Sequence, residues 1–362
     1  MTDIKDKIST RQAMLLFSTI VYSPTVRFAG TFASDKAKQA GWLVPIFSFI
    51  MLVLLIMIIH SIYKKYKDVS LMDAIYDILG KPLGKVIILL YIIWIGILNA
   101  LYVRYYAERL NVSTYENTDY RVFIIIMLIL VLLILPYGIK ILARMNEIIF
   151  PILLLIFIIF MILLIPDIDF GKLTPVSYTD IIPVFDASFG ITGLWGYVLF
   201  VFFIGNKIKD KENIQNVGIK ASIFLLVATT FIIIASIGTL GHTIIERTSL
   251  SFLIAVKQIS FFGVIDRLES ILVTTWVLSD FIIITVFTYI ILDLIKSFLN
   301  LKNTSYLINI SLVLLYILSV FLSKSIFELH SFSTNFAVYV NNVLLFVIPA
   351  IVWGVGKVRG KV

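Results

Sequence analysis

The chain has 362 residues, 60% of them hydrophobic, a mean hydropathy of +1.02 and a formal charge of +8. Only 14% of residues are charged, against about a quarter in a water-soluble domain, so the composition describes a polytopic membrane protein with no room for a soluble enzyme domain. The lack of cysteine excludes disulfides, thiolate catalysis and sulfur-ligated metal. The basic residues sit in short loops, as membrane-anchoring charges do, and do not form a nucleic-acid-binding patch.

A spanning helix needs roughly 20 mostly apolar residues. That rule predicts ten spans, at residues 12–33, 42–62, 84–107, 121–139, 145–165, 187–206, 217–238, 268–294, 304–323 and 335–356. Lys5, Lys7 and Arg11 precede the first, and no small-residue cleavage site follows it, which predicts a retained span and not a removed signal peptide. With the N-terminus inside, the inner segments hold 19 of the 30 Lys and Arg residues, a bias that predicts both termini in the cytoplasm.

The first span carries Tyr22-Ser23-Pro24-Thr25-Val26-Arg27 at its centre. Proline removes a helix hydrogen bond and clashes one turn back. Either the helix only kinks there, or it is broken, which in lipid requires a protein-lined cavity. The sixth span reads Phe202-Phe203-Ile204-Gly205-Asn206 into a charged run. A break at Gly205 competes with an ordinary glycine-capped end. Gly190, Gly193 and Gly196, at spacing three, suit a close-packing face. Two breaks at the same place in two five-span units point to a 5+5 inverted repeat, of about 12–165 and 187–356, within one membrane domain spanning 1–362. Two outer loops are long. Pro166 to Asp186 is polar, and Gly238 to Arg267 contains an apolar run, Leu250 to Val256, that suits a surface helix lidding a vestibule or simply packing at the interface.

Several stretches together carry a family resemblance. Phe202-Phe203-Ile204-Gly205 running into charge looks like the sixth helix of the amino acid–polyamine–organocation permeases. Ile8-Ser9-Thr10-Arg11-Gln12, Tyr102-Val103-Arg104-Tyr105-Tyr106-Ala107-Glu108-Arg109, Asp266-Arg267-Leu268-Glu269-Ser270 and Trp276 resemble one branch of these, the B subunits of spore germinant receptors. The resemblance implies a leucine-transporter-like all-α membrane fold and a small germinant, an amino acid in the first place, as ligand. It also implies A and C receptor subunits as partners in the spore inner membrane. Two features depart from that pattern. Arg27 sits where the permeases offer small residues and bare backbone, and the loop from Asn111 to Asp119 lacks the expected proline.

Asp280 lies near the centre of the eighth span. A carboxylate there costs about 2.5–3.5 kcal/mol on insertion scales, which marks a functional candidate. In the resembled fold the first and eighth helices are neighbours, so Arg27 and Asp280 are expected to pair, as ligand machinery or ion coupling or only as a structural tie. Ser279 and Thr285 add hydroxyls. An amino acid carboxylate suits the exposed N–H groups of an opened first helix at Tyr22, Ser23, Pro24 and Thr25. Phe200 and Phe203 would form the apolar wall for the ligand's side chain, beside the proposed break at Gly205, which also counts among the ligand-site residues. Asn99 could reach the site or bond a neighbouring helix. Arg104, Glu108, Arg109, Asp266, Arg267 and Glu269 form an outer charged cluster, either a mouth, a docking surface or plain solvated pairs.

No catalytic constellation, metal site or cofactor motif appears; His60, His242 and His330 are far apart. Three functions stand against one another. One is a germinant-sensing subunit. The second is an amino acid or amine permease coupled to protons or sodium. The third is a structural partner with an unused pocket.

Overall fold

A computed structural model describes residues 7–113, 115, 117–248, 250–258, 268–301, 305–323 and 325–362. Among them the secondary structure is helical, apart from one isolated bridge between Ile8 and Ile208. The long helices are α1 (Thr10–Ala37), α2 (Val44–Lys65), α4 (Lys81–Ser113), α5 (Tyr120–Ile134) and α6 (Gly138–Leu164), with the short α3 (Leu71–Leu79) between α2 and α4. Then come α7 (Ile181–Trp195), α8 (Val198–Phe203), α9 (Ile214–Leu240), α10 (His242–Ile245), α11 (Ser251–Lys257), α12 (Leu268–Phe298) and α13 (Ser305–Phe321). A last rod is built of α14 (Ile326–Ser331), α15 (Val338–Asn342) and α16 (Ile348–Val358), joined by π-helical turns.

Among the described residues, seven apolar stretches are long enough to cross a membrane. Two of them, Thr10–Lys65 and Tyr120–Asp167, each hold two consecutive helices, and α13 is a shorter apolar helix. α1 is the hub, packed against α6, α7, α9 and α12, while α4 packs along α12. α1 is buried nearly throughout, including its polar residues, whereas α5 and α6 present Ile125, Ile129, Leu133, Ile148 and Leu155 outward, as lipid-facing helices do.

Four expectations need correction. The first span is not broken: α1 runs without interruption from Thr10 to Ala37 with Pro24 inside it. Lys140 and Arg144 do not lie in a connecting loop, because α6 already begins at Gly138. The reversal comes earlier, at Leu135-Pro136-Tyr137, and uses the positive φ of +77° at Gly138, a conformation that glycine adopts without steric cost. The sixth span is interrupted, but at Gly196-Tyr197, between α7 and α8, and not at Gly205. Short-range bonds bridge that junction, from Tyr197 N–H to Leu194 and from Phe200 N–H to Tyr197. Finally, the Leu250 to Val256 run does form a helix, α11, but Phe252, Leu253, Ala255 and Val256 are buried and not laid on a surface.

The close-packing reading of the glycines holds. A Cβ on Gly190 would sit 2.5 Å from Phe32, and one on Gly196 would sit 2.8 Å from Leu345. Gly205 belongs to the same class. A Cβ there would lie 1.9 Å from the Tyr63 hydroxyl, which donates to Phe202 O at 2.6 Å. Gly205→Ala is therefore expected to cost about 1–3 kcal/mol through overpacking, read as a lower unfolding midpoint of the purified protein in an SDS titration.

One end of the bundle is tied by the chain termini. Ile8 N–H donates to Lys207 O and Lys209 N–H to Ile8 O, both at 2.9 Å. Thr10 Oγ1 donates to Asp210 O at 2.9 Å, which fastens the start of α1 to the chain just beyond α8. At the same end Lys361 Nζ reaches Asp77 Oδ1 at 2.8 Å. Lys361 and the Tyr66 hydroxyl hold the Asp77 carboxyl below the usual carboxylate range, so this clasp contributes fully above that range and is lost as pH falls below it, through the lowered value.

Candidate ligand site at the proline turn

Pro24 has no N–H, so the carbonyl one turn back loses its donor. Beside it the helix ladder is opened by a side chain from α12. Ser23 N–H donates to Ser279 Oγ at 3.1 Å, and Ser279 Oγ donates to Thr19 O at 2.7 Å. The Ser279 hydroxyl thus bridges the two backbone groups that an ordinary i→i−4 bond would pair directly. Insertion of a side chain into the ladder is one of the recognised causes of a helix bend.

The charged residues assemble on the same turn. Arg109 Nη1 donates to Ser23 Oγ at 2.7 Å, and Nη2 donates to Asp280 Oδ2. The Arg109 guanidinium also lies 5.0 Å from the Trp276 ring centroid. One turn further down α12, Thr275 Oγ1 is 3.2 Å from the Tyr22 hydroxyl. Thr275, Trp276, Ser279 and Asp280 recur at helical spacing, so a single face of α12 covers the proline turn. Asp280 is 1% exposed, and its Oδ1 has no hydrogen-bond partner among the described residues.

The expected Arg27–Asp280 pair is therefore replaced by Arg109–Asp280. Arg27, one turn above Ser23, is fully buried, with its guanidinium 3.7 Å from the Tyr105 ring centroid and 5.2 Å from Phe28. The outer charged cluster also divides. Arg104 and Arg109 are buried and not solvated. Arg104 pairs with Glu108 at 2.8 Å and lies 3.6 Å from the Tyr120 ring centroid. Glu269 is half-buried at the start of α12, and Asp266 and Arg267 lie outside the described residues. Sequence reasoning missed Arg109 as a site residue because the predicted span ended at residue 107. The signal was available, since nothing between Ala107 and Ser113 breaks a helix.

The other candidates form a second layer or lie apart. Tyr197, at the interruption of the sixth span, shares a hydrogen bond with the Tyr102 hydroxyl at 2.8 Å and accepts one from Asn341 Nδ2 at 3.4 Å. Phe200 stacks on Tyr197 and meets Phe287 edge-on. Asn99 Nδ2 donates to Thr288 Oγ1 at 2.9 Å. Phe203 packs on Tyr91, and Thr285 Oγ1 donates back to Phe281 O in its own helix. Among the described residues, no side-chain hydrogen bond or ring contact joins Phe203, Gly205 or Thr285 to the proline turn. Thr25 faces the other way, into a mostly apolar cavity of about 30 Å³ shared with Tyr22, Phe150, Phe157 and Thr229.

At the end of the bundle away from the termini, a vestibule of about 450 Å³ opens between α1, α7 and the last rod. Phe32 and His330 line it, and both stack on Phe28, with ring centroids 5.5 and 5.8 Å away. Phe28 thus stands between these vestibule rings and Arg27.

Residues 7–326 match the model of a family described as spore germination protein. The chain belongs to that family. Among curated relatives, this spore germination protein is 24% identical over 316 residues to Spore germination protein KB of Bacillus subtilis (strain 168), covering 84% of this chain and 82% of the relative. It is 24% identical over 283 residues to Spore germination protein YndE of the same organism, covering 76% of each chain. Two solved structures have similar folds. Mhp1, a nucleobase-cation-symport-1 family transporter solved with bromovinylhydantoin bound, matches with a TM-score of 0.67 at 14% identity, over 99% of this chain and 80% of its own. MhsT in complex with L-phenylalanine matches with a TM-score of 0.66 at 10% identity, over 97% of this chain and 89% of its own. The fold of this family member is thus the multi-span, leucine-transporter-like fold of the amino acid–polyamine–organocation permeases.

Proposed function

We propose that this spore germination protein is the germinant-sensing membrane subunit of a germination receptor. It crosses the spore inner membrane ten times as a 5+5 inverted repeat, with both termini in the cytoplasm, and works beside A and C subunits. A small molecule, an amino acid in the first place, binds near the bilayer midplane, and the bound state is read out by the partners. A ligand shifts such an equilibrium only by the difference in its affinity for the two states.

The observation that carries this reading is the membrane-buried Arg109–Asp280–Ser23 network around the opened turn of α1, beside Arg27. Ionisable groups at this depth mark functional sites by default, and they gather at the one turn of α1 where proline and an inserted side chain disturb the helix ladder. Two proteins of similar fold were solved with small organic ligands. Those relatives in fold include transporters, so coupled uptake by Asp280 is the second reading.

The test replaces Phe200, which stacks on Tyr197 at the interruption of the sixth span, with alanine. Spores carrying Phe200→Ala are expected to change their germinant preference across amino acids and nucleosides at normal levels of the receptor subunits. An unchanged preference removes this pocket from recognition. Uptake of a labelled amino acid into vesicles by the parent protein, abolished by Asp280→Asn when compared at equal amounts of folded protein, would move the assignment to transport.

A further inference from the structure

The network at the proline turn leaves Arg27 unused. The side chain is 2% exposed, and Nε, Nη1 and Nη2 have no hydrogen-bond partner among the described residues. Contact with the Tyr105 and Phe28 rings offsets part of its desolvation but satisfies none of its N–H groups. The neighbouring charges are already committed. Arg109 is bonded to Asp280 and Ser23, and Arg104 to Glu108. Arg27, Arg109 and Asp280 together therefore hold one positive charge in excess, away from water. The second unsatisfied group has the opposite sign: Asp280 Oδ1 also has no partner among the described residues.

The vestibule selects by charge as well. Asp35, Asp186 and Glu246 line it against a single cation, Lys36, which pairs with Asp186 at 2.5 Å. A bare anion is repelled by that lining, and a molecule carrying an ammonium group is attracted. On the other side of Phe28 lies a charge of opposite sign, Arg27, 5.2 Å from its ring centroid. A molecule bearing both signs suits both places.

We propose that Arg27 is the carboxylate anchor of the ligand. The flat guanidinium fork takes the two oxygens of a zwitterionic α-amino acid, the ammonium group turns towards Asp280 Oδ1, and the ligand enters from the vestibule past Phe28. This rests on the reading of the chain as a ligand-binding subunit, and it adds which group recognises which part of the ligand.

The experiment uses the full chain in lipid nanodiscs and follows the shift of its unfolding midpoint on adding ligand. The probes are the twenty L-amino acids, the amide and the des-amino acid of each one that binds, and inosine and glucose as ligands without a carboxylate. At least one amino acid is expected to bind, with its amide and its des-amino acid each at least tenfold weaker. Arg27→Lys should weaken the amino acid severalfold. Arg27→Gln should abolish the difference between acid and amide. The comparison of acid with amide on the parent protein stands even if a variant does not fold. An amide that binds as tightly as its acid, or binding of inosine or glucose alone, overturns the anchor and leaves the ligand-binding reading intact. A parent that binds none of the probes overturns both.

Discussion

Replacing Arg109 with methionine is expected to destabilise the protein by about 3–5 kcal/mol, the cost of leaving a buried carboxylate without its cation. Asp280 has one oxygen bonded to Arg109 and one without a hydrogen-bond partner among the described residues, so losing Arg109 removes its ion-pair partner. The methylene stem of the arginine is largely preserved by methionine, which keeps the effect on charge and not on volume. Adding Asp280→Leu to the same chain is expected to recover most of the loss, because a buried pair replaced by apolar groups is often neutral. The measurement is a double-mutant cycle by SDS or thermal unfolding of the purified chain. Losses that simply add would show that Arg109 and Asp280 do not act on one another. Asp280→Asn in the parent leaves Arg109 and Arg27 with no neighbouring anion in their network, and it is expected to lower the amount of folded protein in the membrane more than any other single polar change at this site.

Ser279→Val should cost about 1–3 kcal/mol for each of the two backbone groups it leaves unmet. Valine keeps the approximate volume but cannot bridge Ser23 N–H and Thr19 O. In lipid there is no water to replace the hydroxyl. The origin of the opening is tested by adding Pro24→Ala. Alanine restores the missing N–H and removes the ring that clashes one turn back, so α1 can close its own ladder. The pair Pro24→Ala and Ser279→Val is therefore expected to be more stable than Ser279→Val alone, with helix closure visible as slower amide hydrogen exchange at Ser23. If Pro24→Ala gives no rescue, proline is not what holds the turn open. If the opened turn serves ligand binding, the closed double variant should also lose the ligand-dependent shift of the parent.

Much of the architecture was legible along the chain. The all-α, multi-span architecture was readable from apolar length, and the three-residue spacing of Gly190, Gly193 and Gly196 marked a face on which Phe32 and Leu345 approach closely. Asp280 and Ser279 were recognisable as site candidates from depth alone, because a carboxylate in the middle of an apolar run carries a cost that needs a reason. These are local properties: apolar length, glycine spacing and charge position are each written within about 20 residues of sequence.

Partner choice was decided only in three dimensions. Arg27 and Arg109 were both within the reach of a long side chain from Asp280, and hydropathy does not report how helices are rotated about their axes. α4 continues to Ser113 and is about 50 Å long at 1.5 Å per residue, so Arg109, which the span rule placed outside the membrane, is carried in against α12. The break in the sixth span moved for a similar reason. Gly205 has the composition of a break, but its lack of a side chain is used to admit Tyr63. The interruption falls instead at Tyr197, whose hydroxyl meets the Tyr102 hydroxyl and accepts from the Asn341 side-chain amide. Pro24 announced a disturbed first helix, yet whether that helix breaks depended on a hydroxyl 256 residues away in sequence. The sequence by itself determined which segments enter the membrane and which of their residues are costly there. The tertiary structure decided which costs are met by a neighbour and which, at Arg27 and Asp280 Oδ1, are left open.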